Sequence, residues 1–185
     1  MKHARKTTKR MRIVIGGTLV GAAALGTFAV VSASAGSSPS TAPRWEAAGK
    51  NLARSTHLSA DAAGRAAQAV LDAAAKENQR VSVAVVDRNG NTIVTLRGDG
   101  AGPQAYEAAQ KKAFTAVSWN APTSDLVKRL ENAPTLKDIP GTLFLGGGVP
   151  VDAKGAPIAG IGVAGAPSGD LDEEFARAGA AALGK

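Results

Sequence analysis

The chain has 185 residues, of which 22 are Lys or Arg and 15 are Asp or Glu, for a formal net charge of +7 at pH 7. Six of the basic residues lie among the first twelve positions and the rest of the chain is nearly neutral, which argues against nucleic-acid binding because phosphate backbones are neutralised by clustered positive charge. The sequence contains no cysteine, which excludes disulfides, thiol catalysis, zinc–cysteine sites and iron–sulfur clusters.

The basic start is followed by an uncharged segment, residues 13–31, and then by Ala33-Ser34-Ala35. This order is typical of a signal peptide, and the small residues at 33 and 35 predict cleavage after Ala35. We therefore expect a secreted protein with a signal peptide over residues 1–35, a flexible linker over 36–43 and a domain over 44–185. An uncleaved membrane anchor is the alternative, since nineteen uncharged residues approach the roughly twenty that span a bilayer, although four of them are glycines.

The elements predicted after the leader follow in the order helix, hairpin, two helices, three strands and helix. Ser59 is the predicted N-cap of the first helix, since small apolar residues follow it at helical spacing. Two β-branched runs, 81–87 and 92–97, are joined through Asn89-Gly90, which is a strong hairpin signal. The later elements are helices at 104–119 and from Pro122 to before Pro134, strands at 142–145, 149–152 and 157–164, and a helix that begins at Asp170. This order predicts an α+β fold, with an antiparallel sheet of about five strands flanked by helices.

Two glycine-rich segments are similar to nucleotide- or anion-binding motifs. Residues 160–165 match G-x-G-x-x-G as a string, but the glycines lie inside a predicted strand rather than at a turn from strand to helix. We therefore interpret them as positions of close backbone approach. Gly146-Gly147-Gly148 is not followed by Lys and Ser or Thr, as a phosphate-binding loop would be, and predicts a tight turn.

The predicted second helix carries a candidate ligand-binding surface. Glu107, Lys111 and Thr115 lie on one line of this helix at i, i+4 and i+8, and Lys112 is beside them. Three of the six aromatic residues after position 35 belong to the same helix: Tyr106, Phe114 and Trp119. Such a surface suits a flat, apolar, anionic ligand whose carboxylates meet the lysines. The alternative is an exposed ion pair beside a stripe of core alanines.

Segments along the whole domain resemble the GlcG/HbpS-like family in their order and spacing, from about Leu58 to Leu183. They are residues 83–90 (VAVVDRNG), 97–101 (RGDGA), 112–116 (KAFTA), 139–141 (IPG), 147–150 (GGVP) and 160–166 (GIGVAGA). The leader agrees with the secreted actinobacterial branch of this family. The resemblance implies a profilin-like domain that forms homo-oligomers, often octamers, binds haem and iron, and acts with a membrane sensor kinase in redox sensing.

Residue roles also follow from the resemblance. It implies that Thr115 contacts haem, and we expect Lys112 near a propionate, with Lys111 as a further cationic contact. Threonine is a weak iron ligand, so His57 and Tyr106 are the candidate axial donors in a chain that loses both methionines with the leader.

For iron, the resemblance points to acidic pairs of the form Asp/Glu-x-x-Glu. The segment from Asp170 to Glu174 contains such a pair, which makes Asp170, Glu173 and Glu174 the candidate metal ligands. The alternative is that acidic residues in a first helical turn only stabilise the helix dipole.

These observations favour an exported haem- and iron-binding accessory protein that reports redox state to a sensor kinase, with slow haem degradation as a further activity. A small-molecule catabolic enzyme or accessory of the GlcG type is the alternative, although the sequence has no acid–base pair within one motif and His57 is the one histidine after the leader. A purely structural oligomer is the third hypothesis.

Overall fold

The computed structural model describes residues 45–184. The predicted signal peptide and the predicted linker lie outside the described residues, as does Lys185. From Ala47 onwards the chain forms one compact unit. Within the described range, no helix is both long enough and apolar enough to cross a membrane.

Four α-helices and four β-strands make up the part of the chain that the structure describes. In chain order they are α1 (Ala60–Lys76), β1 (Ser82–Asp87), β2 (Thr92–Arg97), α2 (Pro103–Trp119), α3 (Thr123–Arg129), β3 (Gly148–Ala153), β4 (Ala156–Ala164) and α4 (Gly169–Ala181). Short 3₁₀ helices lie at Gly49–Asn51, Pro134–Asp138 and Ala182–Gly184. The predicted α+β class is confirmed. The third helix ends at Arg129 and is therefore shorter than predicted.

The strands form one antiparallel sheet in the order β2-β1-β4-β3. Both hairpins arise from local turn chemistry. In the first, Gly90 has a φ of 89°, and the Asp87 carboxylate accepts hydrogen bonds from the backbone N–H groups of Asn89 and Asn91, each at 2.8 Å. The second hairpin, between β3 and β4, turns through residues 154–155, both at positive φ.

The predicted strand at 142–145 was wrong, so the sheet has four strands rather than about five. The composition of this segment suits a strand, but three of its four backbone N–H groups have local or helix partners. Thr142 donates to Ile139 O, Leu143 donates to the Thr115 hydroxyl at 2.8 Å, and Leu145 donates to Leu143 O. The segment therefore runs over α2 as an irregular loop that enters β3 through residues 146–147.

The sheet separates two apolar cores. On one face α1 and α4 cover alternate strand residues, which include Val83, Val85, Ile161 and Val163. On the other face α2 covers Ala84 and Val86. Alternation of side chains along a strand explains why β1 is buried on both sides. The arrangement places α2 and α4 on opposite sides of β4.

Glycines in β4 allow α2 to lie unusually close to the sheet. A Cβ atom at Gly160 would overlap the carbonyl oxygen of Ala113, and one at Gly162 would overlap that of Ala109. The interpretation of these glycines as positions of close backbone approach is confirmed. The close contact between the α2 backbone and the glycines of β4 therefore fixes where the remaining side chains of α2 lie.

Candidate functional site

A buried ion pair joins α2 to α4 beyond the end of β4. Lys112 Nζ lies 2.7 Å from Asp172 Oδ2 and 3.0 Å from the carbonyl oxygen of Val163. The other carboxylate oxygen of Asp172 accepts a hydrogen bond from the Ala166 N–H at 3.0 Å. Both charged side chains are almost completely buried, at 6% and 5% exposed. The pair therefore connects the two helices that cover opposite faces of the sheet.

The surroundings of this pair determine its electrostatics. Burial raises the pKa of Asp172 above its ordinary value, while the Lys112 ammonium and the backbone N–H groups of Ala166 and Gly165 act in the opposite direction. Space for the pair comes from Gly147, whose φ is 123°. A Cβ atom there would lie 2.7 Å from Lys112 Nζ. The glycine-rich turn predicted at 146–148 thus makes room for two buried charges.

The ion pair forms part of the wall of an open cleft of about 450 Å³. One side of the cleft is the start of α4, where the Ser168 hydroxyl caps the helix by accepting from the Leu171 N–H at 3.2 Å. Apolar side chains border the opening, among them Val127 at 36% and Leu145 at 54% exposed. Apolar side chains combined with a few placed polar groups are typical of small-molecule sites.

Thr115 lies inside the subunit. Its side chain is fully buried, and its hydroxyl donates to Lys111 O at 2.7 Å while accepting from the Leu143 N–H at 2.8 Å. The expectation placed Thr115 on a haem-facing side with Lys112 beside it. The structure instead encloses both side chains, and Thr115 holds the 142–145 loop against α2. Haem contact by these two residues stays a prediction.

We expect Thr115→Val to lower the free energy of unfolding by about 1–3 kcal/mol, because valine keeps the shape of threonine but leaves the Leu143 N–H without its acceptor. Urea unfolding at fixed protein concentration measures this change. Thr95→Val is the control, since Thr95 is only partly buried and its hydroxyl accepts a longer hydrogen bond, 3.3 Å from Gln110. An equal loss in both variants would contradict the role assigned to Thr115.

The outer side of α2 keeps Tyr106 and Lys111 accessible. Tyr106 is 43% exposed, and Lys111 makes an ion pair with Glu107 at 2.7 Å on the helix surface. Further along the helix, Phe114 borders a shallow groove of about 190 Å³ against the β1–β2 hairpin, and Lys111 reaches the same groove. This surface and the exposed His57 are the parts of the predicted haem-binding set that solvent can reach.

His57 lies near the β1–β2 hairpin, away from Tyr106. The pKa of Asp87 is below its ordinary value: burial opposes the shift, the N–H groups of Asn91 and Asn89 produce it, and the charge of His57 adds to it. Phe114 contacts the same hairpin at Gly90. Tyr106 lies eight residues before Phe114, which is about 12 Å along the helix. The structure therefore does not bring the two candidate axial donors together within one subunit.

The predicted metal ligands have separate roles. Glu173 is buried, and its carboxylate accepts from the N–H of Ser124 at 3.0 Å and from the Ser124 hydroxyl at 2.8 Å. Arg177 donates to the same carboxylate at 2.6 Å. Glu173 therefore ties α4 to the first turn of α3. Asp170 and Glu174 are exposed, and the described residues contain no group of three or more His, Asp or Glu side chains that could hold a metal ion.

Comparisons with known proteins agree with the fold and the motifs. Residues 58–181 match the family described as haem degrading protein HbpS-like. The crystal structure of a double mutant of HbpS from Streptomyces reticuli is 71% identical, with a TM-score of 0.76, and the match covers 80% of this chain and 100% of that chain.

More distant relatives share the same fold or sequence pattern. The crystal structure of a PduOC:heme complex is 27% identical with a TM-score of 0.63, over 69% of this chain and 95% of that chain. Protein GlcG of Escherichia coli is 35% identical over 91 residues, which are 49% of this chain and 68% of that protein. Together with the match over residues 58–181, these likenesses show that the chain belongs to the HbpS-like family.

Proposed function

We propose that the protein is an exported haem-binding accessory protein that degrades haem slowly and takes part in extracellular redox or haem sensing with a membrane sensor kinase. The observation that carries the haem function is the family match, since the family is described by haem degradation and the crystallised chain of the HbpS double mutant, which is covered completely, is 71% identical. The structure of a related PduOC domain with haem supports the same cofactor. Export, iron binding, the kinase partner and assembly into homo-oligomers rest on the leader and on the family resemblance.

The accessible face of α2 is the surface that best suits haem within one subunit. Tyr106 supplies a phenolic oxygen that can bind ferric iron, Lys111 supplies a cation for a propionate, and Phe114 supplies apolar contact. His57 near the hairpin is the rival axial donor. Thr115 and Lys112 would act behind this surface, by holding the 142–145 loop and α4 in place.

We expect protein recovered from culture fluid to lack residues 1–35 by intact mass and to bind haemin saturably, with a Soret band at a fixed stoichiometry per subunit.

Tyr106→Phe should weaken haemin binding by about tenfold or more and shift the Soret maximum if Tyr106 is the axial donor, because removal of the oxygen removes an iron ligand. His57→Ala should do the same if His57 is the donor. Lys128→Met, a surface change on α3, is the control.

Non-saturating, featureless absorbance in the unmodified protein would contradict haem binding. Unchanged spectra in both donor variants would mean that the axial ligand comes from another residue or another subunit. A mass that retains the residue 13–31 segment would contradict cleavage at Ala35.

A further inference from the structure

The cleft beside the ion pair contains an ammonium group with an unused hydrogen-bond donor. A lysine ammonium carries three N–H donors. Within the described residues, Lys112 Nζ has two acceptors, Asp172 Oδ2 and the carbonyl oxygen of Val163. The side chain is 6% exposed and borders the cleft. The third donor of this ammonium can bind an acceptor atom of a ligand in the cleft.

The start of α4 adds further donors on the same cleft. The Ser168 hydroxyl accepts from Leu171 N–H and the Ser168 carbonyl accepts from Asp172 N–H. The N–H groups of Gly169 and Asp170 precede these and have no acceptor among residues 45–184. Both residues border the cleft, at the end of a 13-residue helix whose dipole favours negative charge. Donors from two different elements therefore face one small volume.

The other side of the cleft is apolar. Val127 and Leu145 are exposed there. A volume of about 450 Å³ lies within the range of roughly 300–1,000 Å³ that small-molecule sites occupy. A ligand that matches this surface has a polar acceptor at one end and a short apolar body at the other.

The nearby charges limit how negative the ligand can be. Lys112 is neutralised by Asp172, and the carboxylate of Asp170 lies at the edge of the cleft. A phosphate, with nearly two negative charges at neutral pH, would meet two carboxylates and one ammonium. A monocarboxylate can use the same N–H donors with half of that repulsion.

We propose that this cleft binds an amphipathic monocarboxylate, with its carboxylate between Lys112 Nζ and the first turn of α4 and its apolar part along Val127 and Leu145. The proposal does not depend on haem binding by α2. Two sources could supply this chemistry, a free organic acid or a propionate arm of haem, and the experiment below separates them.

Saturation-transfer NMR with hexanoate as the probe tests the site in the full protein, and it works for a receptor of any oligomeric size. Hexanoate should bind saturably in the millimolar range. Hexanamide, which has the same shape without the charge, should bind about tenfold more weakly, because hydrogen bonds to a charged acceptor are roughly twice as strong.

Variants at exposed positions locate the binding while leaving the ion pair intact. Val127→Trp should weaken hexanoate binding by about tenfold or more by filling the mouth of the cleft. Arg65→Trp on α1, outside the cleft, is the matched control and should leave it unchanged. Asp170→Asn should tighten binding by about threefold, since it removes a repelling charge while the backbone donors stay.

Competition with haemin identifies the source. If saturating haemin leaves hexanoate binding unchanged, the site takes a free organic acid. If haemin displaces hexanoate, and Val127→Trp weakens haemin as well, the carboxylate is a propionate of haem. Equal affinity for hexanoate and hexanamide, weaker binding in Asp170→Asn, or no effect of Val127→Trp on either ligand would overturn the proposal. Failure of haemin to bind at all would leave the hexanoate results to decide it.

Discussion

Lys112→Met is expected to lower the free energy of unfolding at pH 7 by about 3–5 kcal/mol, because it leaves the buried carboxylate of Asp172 without its counter-charge. Methionine fills most of the volume of lysine, so the loss reflects charge rather than a cavity. Urea unfolding at fixed protein concentration measures it, since self-association would otherwise change the apparent stability.

The dependence on pH distinguishes this mechanism from poor packing. Burial already raises the pKa of Asp172, and removal of the Lys112 ammonium removes one of the interactions that oppose the rise. A carboxyl group with a raised pKa in the folded state binds its proton more tightly there than in the unfolded chain. Stability of Lys112→Met should therefore increase as the pH falls from neutrality towards the ordinary carboxyl pKa of about 4.

Two further variants complete the argument. Lys112→Met combined with Asp172→Asn should recover most of the lost stability and show no such increase at low pH, since neither side chain of the pair is then charged and the amide oxygen can still accept from Ala166. Lys111→Met, at the neighbouring position, removes a lysine whose partner Glu107 is exposed and should have little effect. A loss in Lys112→Met that is independent of pH would contradict a role for the ion pair.

The buried pair shows which part of the site the sequence can predict. Lys112 lies three residues after Ala109 and four before Ala116, so it belongs to the apolar stripe of α2. Asp172 lies three residues before Phe175 and four before Ala176, so it belongs to the apolar stripe of α4. A charge inside each of two apolar stripes is a signal for buried ions. That signal was missed because Lys112 was placed beside Lys111 on the predicted ligand-binding surface. The pairing itself connects residues sixty positions apart and needs the fold.

The difference between local and long-range contacts also explains which parts of the fold could be predicted from the sequence. The β1–β2 hairpin was predicted correctly because its turn depends on adjacent residues, Asn89 and Gly90. The prediction of a strand at 142–145 was wrong because the Leu143 N–H donates to the hydroxyl of Thr115, which lies 28 residues earlier. The contact of Glu173 with Ser124 likewise spans 49 residues and leaves no signal in the sequence, and metal binding by Glu173 stays a prediction. Side chains that replace the backbone partners of distant segments leave no periodic pattern in the sequence.

Gly162→Ala is expected to be the most damaging change of a single methyl group in the sheet. Its Cβ would overlap the carbonyl oxygen of Ala109 and lie against the backbone of Ala113, neither of which can rotate away as a flexible side chain would. Either α2 moves off the sheet or β4 distorts, and both disturb the 109–116 segment that carries Lys112 and Thr115. We expect a loss of about 3 kcal/mol or more, at the upper end of overpacking effects.

Gly64→Ala is the matched control, because Gly64 lies inside α1 with no atom within 4 Å of the added Cβ. There the same change should raise stability by about 0.5–1 kcal/mol, since glycine loses more conformational freedom than alanine on forming a helix. Thermal unfolding of the two variants at equal concentration should give shifts of opposite sign. An equal change in melting temperature in Gly162→Ala and Gly64→Ala would mean that α2 is not held as closely against β4 as the structure has it. The positions of Lys112 and Thr115, which depend on that contact, would then be wrong as well.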